Sequence, residues 1–173
     1  VRERHSPDDP HDVVNEIVVL DATEPSEPRI VHGTSDFVMS PRFVDGGRLR
    51  FVAWNHPNMP WNDTTLMECG FDPSTGSTGE AVPLARDASF MQPDGDLVIS
   101  DRSGWWNLWR IGAAAGGGGE QPVTELDAEI GGPAWVFGDR AYCRLDDGRL
   151  VSPDGGTLYV DGVAHATTAA GIE

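Results

Sequence analysis

The chain has no lysine. All 12 of its basic residues are arginine, set against 28 acidic ones. The formal net charge of −16 and isoelectric point near 4.4 repel polyanions, so nucleic acid and anionic membranes are not expected partners. Cysteine is scarce: Cys69 and Cys143 are the only two, far apart and without C-x-x-C spacing. That argues against a zinc knuckle or a thioredoxin-type site. Two lone thiols fit a reducing, cytoplasmic compartment, with both expected to be buried as small hydrophobes. No run approaches the roughly 20 apolar residues of a membrane-spanning helix. The start, Val1 to His5, lacks the apolar core of a signal peptide. It also lacks an initiator Met, which suggests a fragment. No long segment sustains a 3.6-residue period, so no helix is expected.

Metal and cofactor signals are missing as well. His5, His11, His32, His56 and His165 share no ligand spacing, and H-E-x-x-H does not occur. Asp94-Gly95-Asp96 is too short for a calcium loop. Ala113–Gly119 (AAAGGGG) has no lysine or helix start after it, so it reads as a flexible connector rather than a phosphate loop. No cofactor and no metal are expected. Asn62-Asp63-Thr64 matches a glycosylation acceptor, expected to be unused without a secretion signal.

What is present is β-strand sequence. Phe37–Val44 is apolar and β-branched, and Asp45-Gly46-Gly47 is a turn signal. Arg48–Trp54 alternates, placing Leu49, Phe51 and Ala53 on one face and Arg50, Val52 and Trp54 on the other. His56 to Asp63 carries two prolines and must be a loop. Thr64–Phe71 then restarts an apolar run. Weaker copies follow. Three first strands carry a proline, at Pro41, Pro93 and Pro133, spaced by about fifty and about forty residues, within the blade period of propellers.

These patterns divide the chain into an all-β, partial β-propeller of three to four four-stranded blades. Residues 1–33 hold the end of a first blade, with 1–11 a loop, a strong strand at Val13–Asp21 and a short one near Arg29–His32. Residues 34–85 form the second blade, closing on a short edge near Ala81–Leu84. Residues 86–125 form the third. Residues 126–173 form a truncated fourth, with strands near Ala134–Phe137, Arg140–Leu145, Arg149–Val151 and Thr157–Val160. The tail from Gly162 carries no clear pattern.

The stretch SPRFVDGGRLRFVAWNHPNMPWNDTTL (40–66) resembles the propeller of the prolyl oligopeptidase family of serine peptidases. The similar branch is the bacterial one of acylaminoacyl-peptidase and dipeptidyl-aminopeptidase type. Members there read Ser-Pro-x-x-Ser-Pro-Asp-Gly, an apolar strand, then Trp-Asp-His-Pro-Asn-Met-Pro-Trp-Asp. Ser100-Asp101-Arg102-Ser103-Gly104-Trp105-Trp106-Asn107-Leu108 and Gly131-Gly132-Pro133-Ala134-Trp135-Val136-Phe137-Gly138 follow in the family's order, and Asn15-Glu16-Ile17 through Leu20-Asp21 fits its earlier Asn-Glu-Leu-x-x-Leu-Asp. The resemblance covers roughly Asn15 to Val151. Two departures stand out. A few family residues between Gln92-Pro93 and Asp94-Gly95 are missing, and after Val151 the segment Ser152–Gly156 replaces a Trp-bearing strand.

The resemblance implies a non-catalytic propeller that caps an α/β-hydrolase domain and admits only short peptides. The catalytic elbow Gly-x-Ser-x-Gly is absent; Gly76-Ser77-Thr78-Gly79 is too short and lies between strands. No catalytic residue is therefore assigned to this chain. Candidate substrate-cavity residues are His56, Asn58 and Trp61 of the His-Pro-Asn-Met-Pro-Trp loop, and Arg102, which could offer a cation to a peptide carboxylate. For each, packing is the favoured alternative: Trp61 anchors a stiff loop, while Asp101 and Arg102 tie a blade turn and Trp106 or Trp109 fills space between blades. A closed propeller hides its sheet edges, and a partial one leaves them open. The rival readings are thus an acidic interaction module completed by self-association, and a degraded gene remnant.

Overall fold

Strand Arg48–Trp54 lies at the centre of the protein and is buried on both faces. The computed structural model describes residues 1–9, 11–112, 119–132, 136–154 and 156–165. Among the described residues, four antiparallel sheets contain all the strands and no helix occurs. The first sheet is β1 (Arg2–His5), β2 (Val13–Val19) and β3 (Arg29–His32), in that order. The second runs β4 (Phe37–Val44), β5 (Arg48–Trp54), β6 (Thr64–Asp72), β7 (Ser77–Thr78), with β8 (Val82–Ala88) also pairing β6. The third contains β9 (Phe90–Asp94), β10 (Leu97–Ser100), β11 (Asn107–Ile111) and β12 (Glu120–Pro122). The fourth contains β13 (Cys143–Arg144), β14 (Leu150–Asp154), β15 (Thr157–Val160) and β16 (Val163–His165). This is the all-β, partial-propeller architecture that the strand pattern implies.

The period-2 alternation of β5 decides which neighbour each side chain meets. Leu49, Phe51 and Ala53 join Ile17, Val38, Met67 and Cys69 in one apolar cluster, which links the first sheet to the second. Val52 joins Leu66, Phe90, Met91, Ile99 and Leu108 in the other, which links the second sheet to the third. Burying a side chain the size of Phe51 contributes about 1.5–3 kcal/mol. Arg50 lies on the same face as Val52 and is equally buried. Its Nε donates to Glu68 Oε2 at 2.7 Å, and Nη1 donates to the Gly95 carbonyl at 2.6 Å, so one guanidinium pins the third sheet's hairpin turn to the second sheet.

The proline-bearing strands share a device. Met39-Ser40-Pro41 and Met91-Gln92-Pro93 each place a positive-φ residue, Ser40 at 52° and Gln92 at 47°, before the proline. In both, the register with the next strand shifts. Proline has no N–H for the ladder, so the strand bulges around it. Pro133, Ala134 and the connector 113–118 lie outside the described residues, as do 155 and the tail 166–173.

Several local expectations are corrected. Residues Arg2–His5 are a strand, paired from Arg2↔Glu16 to His5↔Val13. Buried Glu16 draws this charged segment onto the sheet, with Arg2 Nη2 2.6 Å and Arg4 Nη2 3.5 Å from its carboxylate. The short edge near Ala81–Leu84 is the longer β8, because it pairs along β6 as far as Thr64↔Ala88. Val136 and Phe137 form no strand, and the strand expected over Arg140–Leu145 shrinks to Cys143–Arg144. Cys143 is exposed while Cys69 is buried, because β13 is the edge strand of a thin sheet and β6 is central. Ser152–Asp154 does not interrupt the fourth sheet: it pairs with Thr157–Tyr159 as a hairpin, and β16 follows where no strand is expected.

Candidate functional site

The loop between β5 and β6 leaves the sheet at the end opposite the Asp45–Gly47 turn. Asp36, just before β4, organises its entry. The Asp36 carboxylate accepts from the His56 backbone N–H at 2.8 Å and faces the His56 ring Nδ1 at 3.1 Å; the Asp36 N–H donates to Asn55 Oδ1 at 2.7 Å. The His56 backbone donor, and then the ring, hold the Asp36 carboxyl below the usual carboxylate range. Phe37 stacks on Trp54 at 5.2 Å and meets the His56 ring at 4.9 Å. Asn58 N–H donates to the Asn55 carbonyl at 3.0 Å, and Asn62 N–H to the Met59 carbonyl at 2.9 Å, so the loop closes into successive turns. Asn58 Nδ2 reaches Asp63 Oδ2 at 3.4 Å. Trp61 is half-buried.

A cleft of about 370 Å³ opens between this loop, the β3–β4 connection and the β6–β8 side of the second sheet. His56 and Asn58 line it, together with His32, Ser35, Asp63 and Arg86. Trp61 and Arg102 do not. Arg102 is engaged elsewhere: its Nε lies 2.6 Å from Glu120 Oε2, its Nη2 donates to the Arg86 carbonyl, and its guanidinium lies 5.7 Å from the Phe90 ring centroid. Asp101 Oδ1 accepts from Ser89 N–H at 2.8 Å. Trp106 and Trp109 pack against the larger core cluster. The four candidate residues thus separate into two that share a cleft and two that do not line it.

Sequence reasoning missed His32, Ser35 and Arg86, which carry no motif and become neighbours only through β3, β4 and β8. His32 Nε2 lies 2.8 Å from Ser35 Oγ, and its ring sits 5.1 Å from that of Phe51. Burial holds the His32 pKa below its ordinary value, favouring neutral imidazole. A Ser–His contact needs a third group to orient the base and donors for an oxyanion. Among the described residues no carboxylate bonds the other ring nitrogen.

At the opposite end of the sheets lies a larger cleft of about 660 Å³, lined by Arg48, Arg50, Asp94, Asp96 and Arg144. Its arginines and Asp96 are held in ion pairs. Asp96 pairs with Arg110 at 2.7 Å and Arg144 at 3.0 Å, and Arg50 pairs with Glu68. Among the described residues no group of histidine, cysteine and carboxylate side chains could hold a metal ion.

Solved structures share the fold of this chain. A puromycin hydrolase matches with a TM-score of 0.74 and 26% identity, over 94% of this chain and 27% of that one. A puromycin-hydrolyzing peptidase of Mycobacterium tuberculosis matches with a TM-score of 0.67 and 26% identity, over 91% of this chain and 29% of its own. A mutant puromycin hydrolase complexed with PGG matches with a TM-score of 0.69 and 28% identity, over 77% of this chain and 22% of its own. The neighbours are peptidases, and they support the prolyl oligopeptidase family. The chain spans less than a third of each of them. No protein-family model and no curated protein matches the sequence.

Proposed function

We propose that this chain is the non-catalytic propeller portion of a prolyl oligopeptidase-family serine exopeptidase, of the acylaminoacyl-peptidase and dipeptidyl-aminopeptidase branch. In this reading it docks on an α/β-hydrolase domain encoded by other sequence and limits entry to short peptides. The observation that carries it is the match to peptidases over 91–94% of this chain, with the chain accounting for only 27–29% of theirs. The polar cleft beside the His56 loop supports a peptide-facing end. Two unpaired cysteines support a reducing, cytoplasmic setting.

The test is to sequence the reading frame on both sides and assay the whole product on short blocked and unblocked peptides. The expected result is a downstream Gly-x-Ser-x-Gly elbow with Asp and His following, and cleavage lost when the elbow serine is replaced. A frame that ends at Glu173 with no hydrolase partner overturns the proposal.

A second reading, an acidic module completed by self-association, rests on the first sheet. It has three strands and leaves β1 on its edge, where open N–H and C=O groups invite a further strand.

A further inference from the structure

The cation that could meet a peptide carboxylate is not the one the motif suggests. Arg102 spends its guanidinium on Glu120 and on the carbonyl of Arg86. Arg86 itself sits on β8 with its backbone held by that bond, is exposed, and lines the cleft shared with His56 and Asn58. Among the described residues no hydrogen bond or ion pair engages the Arg86 guanidinium. Most other arginines face a carboxylate: Arg2 and Arg4 face Glu16, Arg50 faces Glu68, Arg110 and Arg144 face Asp96. In a chain of net charge −16, an unpaired arginine at the wall of a concave polar site is available for an anion brought from outside.

The rest of the cleft suits a small polar ligand. Its volume of about 370 Å³ lies in the range of small-molecule sites. Thr64 Oγ1 accepts from the Phe90 N–H at 2.7 Å, which leaves its hydroxyl proton to donate. Ser35 Oγ lies 2.8 Å from His32 Nε2, and in the tautomer where Nε2–H donates to Oγ the Ser35 hydroxyl proton is left for an acceptor. Asp63, the carboxylate on this wall, is met by the Asn58 amide at 3.4 Å.

We propose that this cleft binds the C-terminal carboxylate of a short peptide through Arg86, with Arg102 as the positioning residue that holds the Arg86 backbone. The choice of a peptide rests on the peptidase reading; the choice of a carboxylate rests on Arg86. A planar guanidinium offers two parallel N–H bonds to a carboxylate, which an amide terminus cannot match.

The experiment is a titration of the full 173-residue chain, followed by NMR or calorimetry. The probes are acetyl-Ala-Ala with a free carboxylate and its C-terminal amide. The expected result is that the carboxylate form binds at least about tenfold more tightly, a ratio that one lost charge-assisted bond of ~1.4 kcal/mol accounts for. Arg86→Gln abolishes the preference, Arg86→Lys keeps part of it, and Arg140→Gln, which removes a charge elsewhere, leaves it intact. Arg102→Gln weakens carboxylate binding while unfolding stays cooperative. Equal binding of the two probes, or a preference that survives Arg86→Gln, overturns the proposal. Arg86 is exposed, so its variants report on binding without a folding defect. Failure here leaves the peptidase reading standing if the extended reading frame cleaves peptides. Carboxylate binding by a chain whose frame ends at Glu173 removes that reading and keeps the site.

Discussion

Single residues fasten this protein where its strands alone would not. Arg50 and Glu68 are both buried, and their side chains pair at 2.7 Å. Removing Arg50 takes away the cation nearer the buried Glu68 carboxylate, since Arg48 stands at 3.9 Å. Arg50→Ala is expected to destabilise the fold by about 3–5 kcal/mol in denaturant unfolding, and Arg50→Met with Glu68→Leu by much less. Gly47 has a φ of +64°, and a Cβ there would stand 2.7 Å from the Phe71 carbonyl oxygen. Gly47→Ala should cost about 1–2 kcal/mol for the left-handed backbone and more for the contact, measured as a lowered Tm. His32 gives a pH prediction with a definite sign. Burial lowers its folded pKa below the unfolded value of about 6.5. Its contribution is therefore present above pH 6.5 and lost as pH falls through the folded pKa, because the unfolded chain binds the proton more readily. Stability should rise with pH across this window in the native chain and flatten in His32→Gln; an unchanged slope refutes the assignment.

At the scale of strands and sheets, legibility follows burial. β5 stands where alternation places it, Arg48–Trp54, because apolar side chains on a two-sided buried strand permit no other register. β1 is illegible because its residues are polar and its partner, Glu16, is far along the chain. The third and fourth sheets are joined by a polar clasp. Gln92 Nε2 donates to the Tyr142 carbonyl at 2.8 Å, Gln92 Oε1 accepts from Ala141 N–H at 2.6 Å, and Tyr142 Oη donates to the Gln92 carbonyl at 3.1 Å. Burial pushes the Tyr142 phenol pKa up, so the hydroxyl stays a donor over the working pH range. Gln92→Ala leaves buried donors and acceptors unmet, at about 1–3 kcal/mol. The expected sign is faster amide exchange in β14 and β15 with little change in β5 and β6; uniform acceleration would mean the sheets unfold together.

The whole molecule presents open flanks. Ile30 on the first sheet and Val163 on the fourth are exposed, at 55% and 61%. With β1 at the edge of a three-stranded sheet, such surface favours added strands or further blades. The isolated chain is expected to associate in a concentration-dependent way by light scattering, and the same chain within its complete reading frame is expected to remain a single species. Monomeric behaviour of the isolated chain at high concentration would count against both the open-edge reading and self-completion.

The turns at Asp45–Gly47 and Asp94–Gly95 and the two faces of β5 are properties of the sequence alone. Period-2 patterning and left-handed glycine turns are local, and they need no distant partner to be recognised. Tertiary structure alone decided that Arg50 is interior, that Arg102 is occupied and that Arg86 is free. It also brought His32, Ser35, Asn58 and Arg86 to one cleft. Those outcomes depend on which strands pack face to face and on which charge finds a partner tens of residues away, and no short-range pattern encodes either.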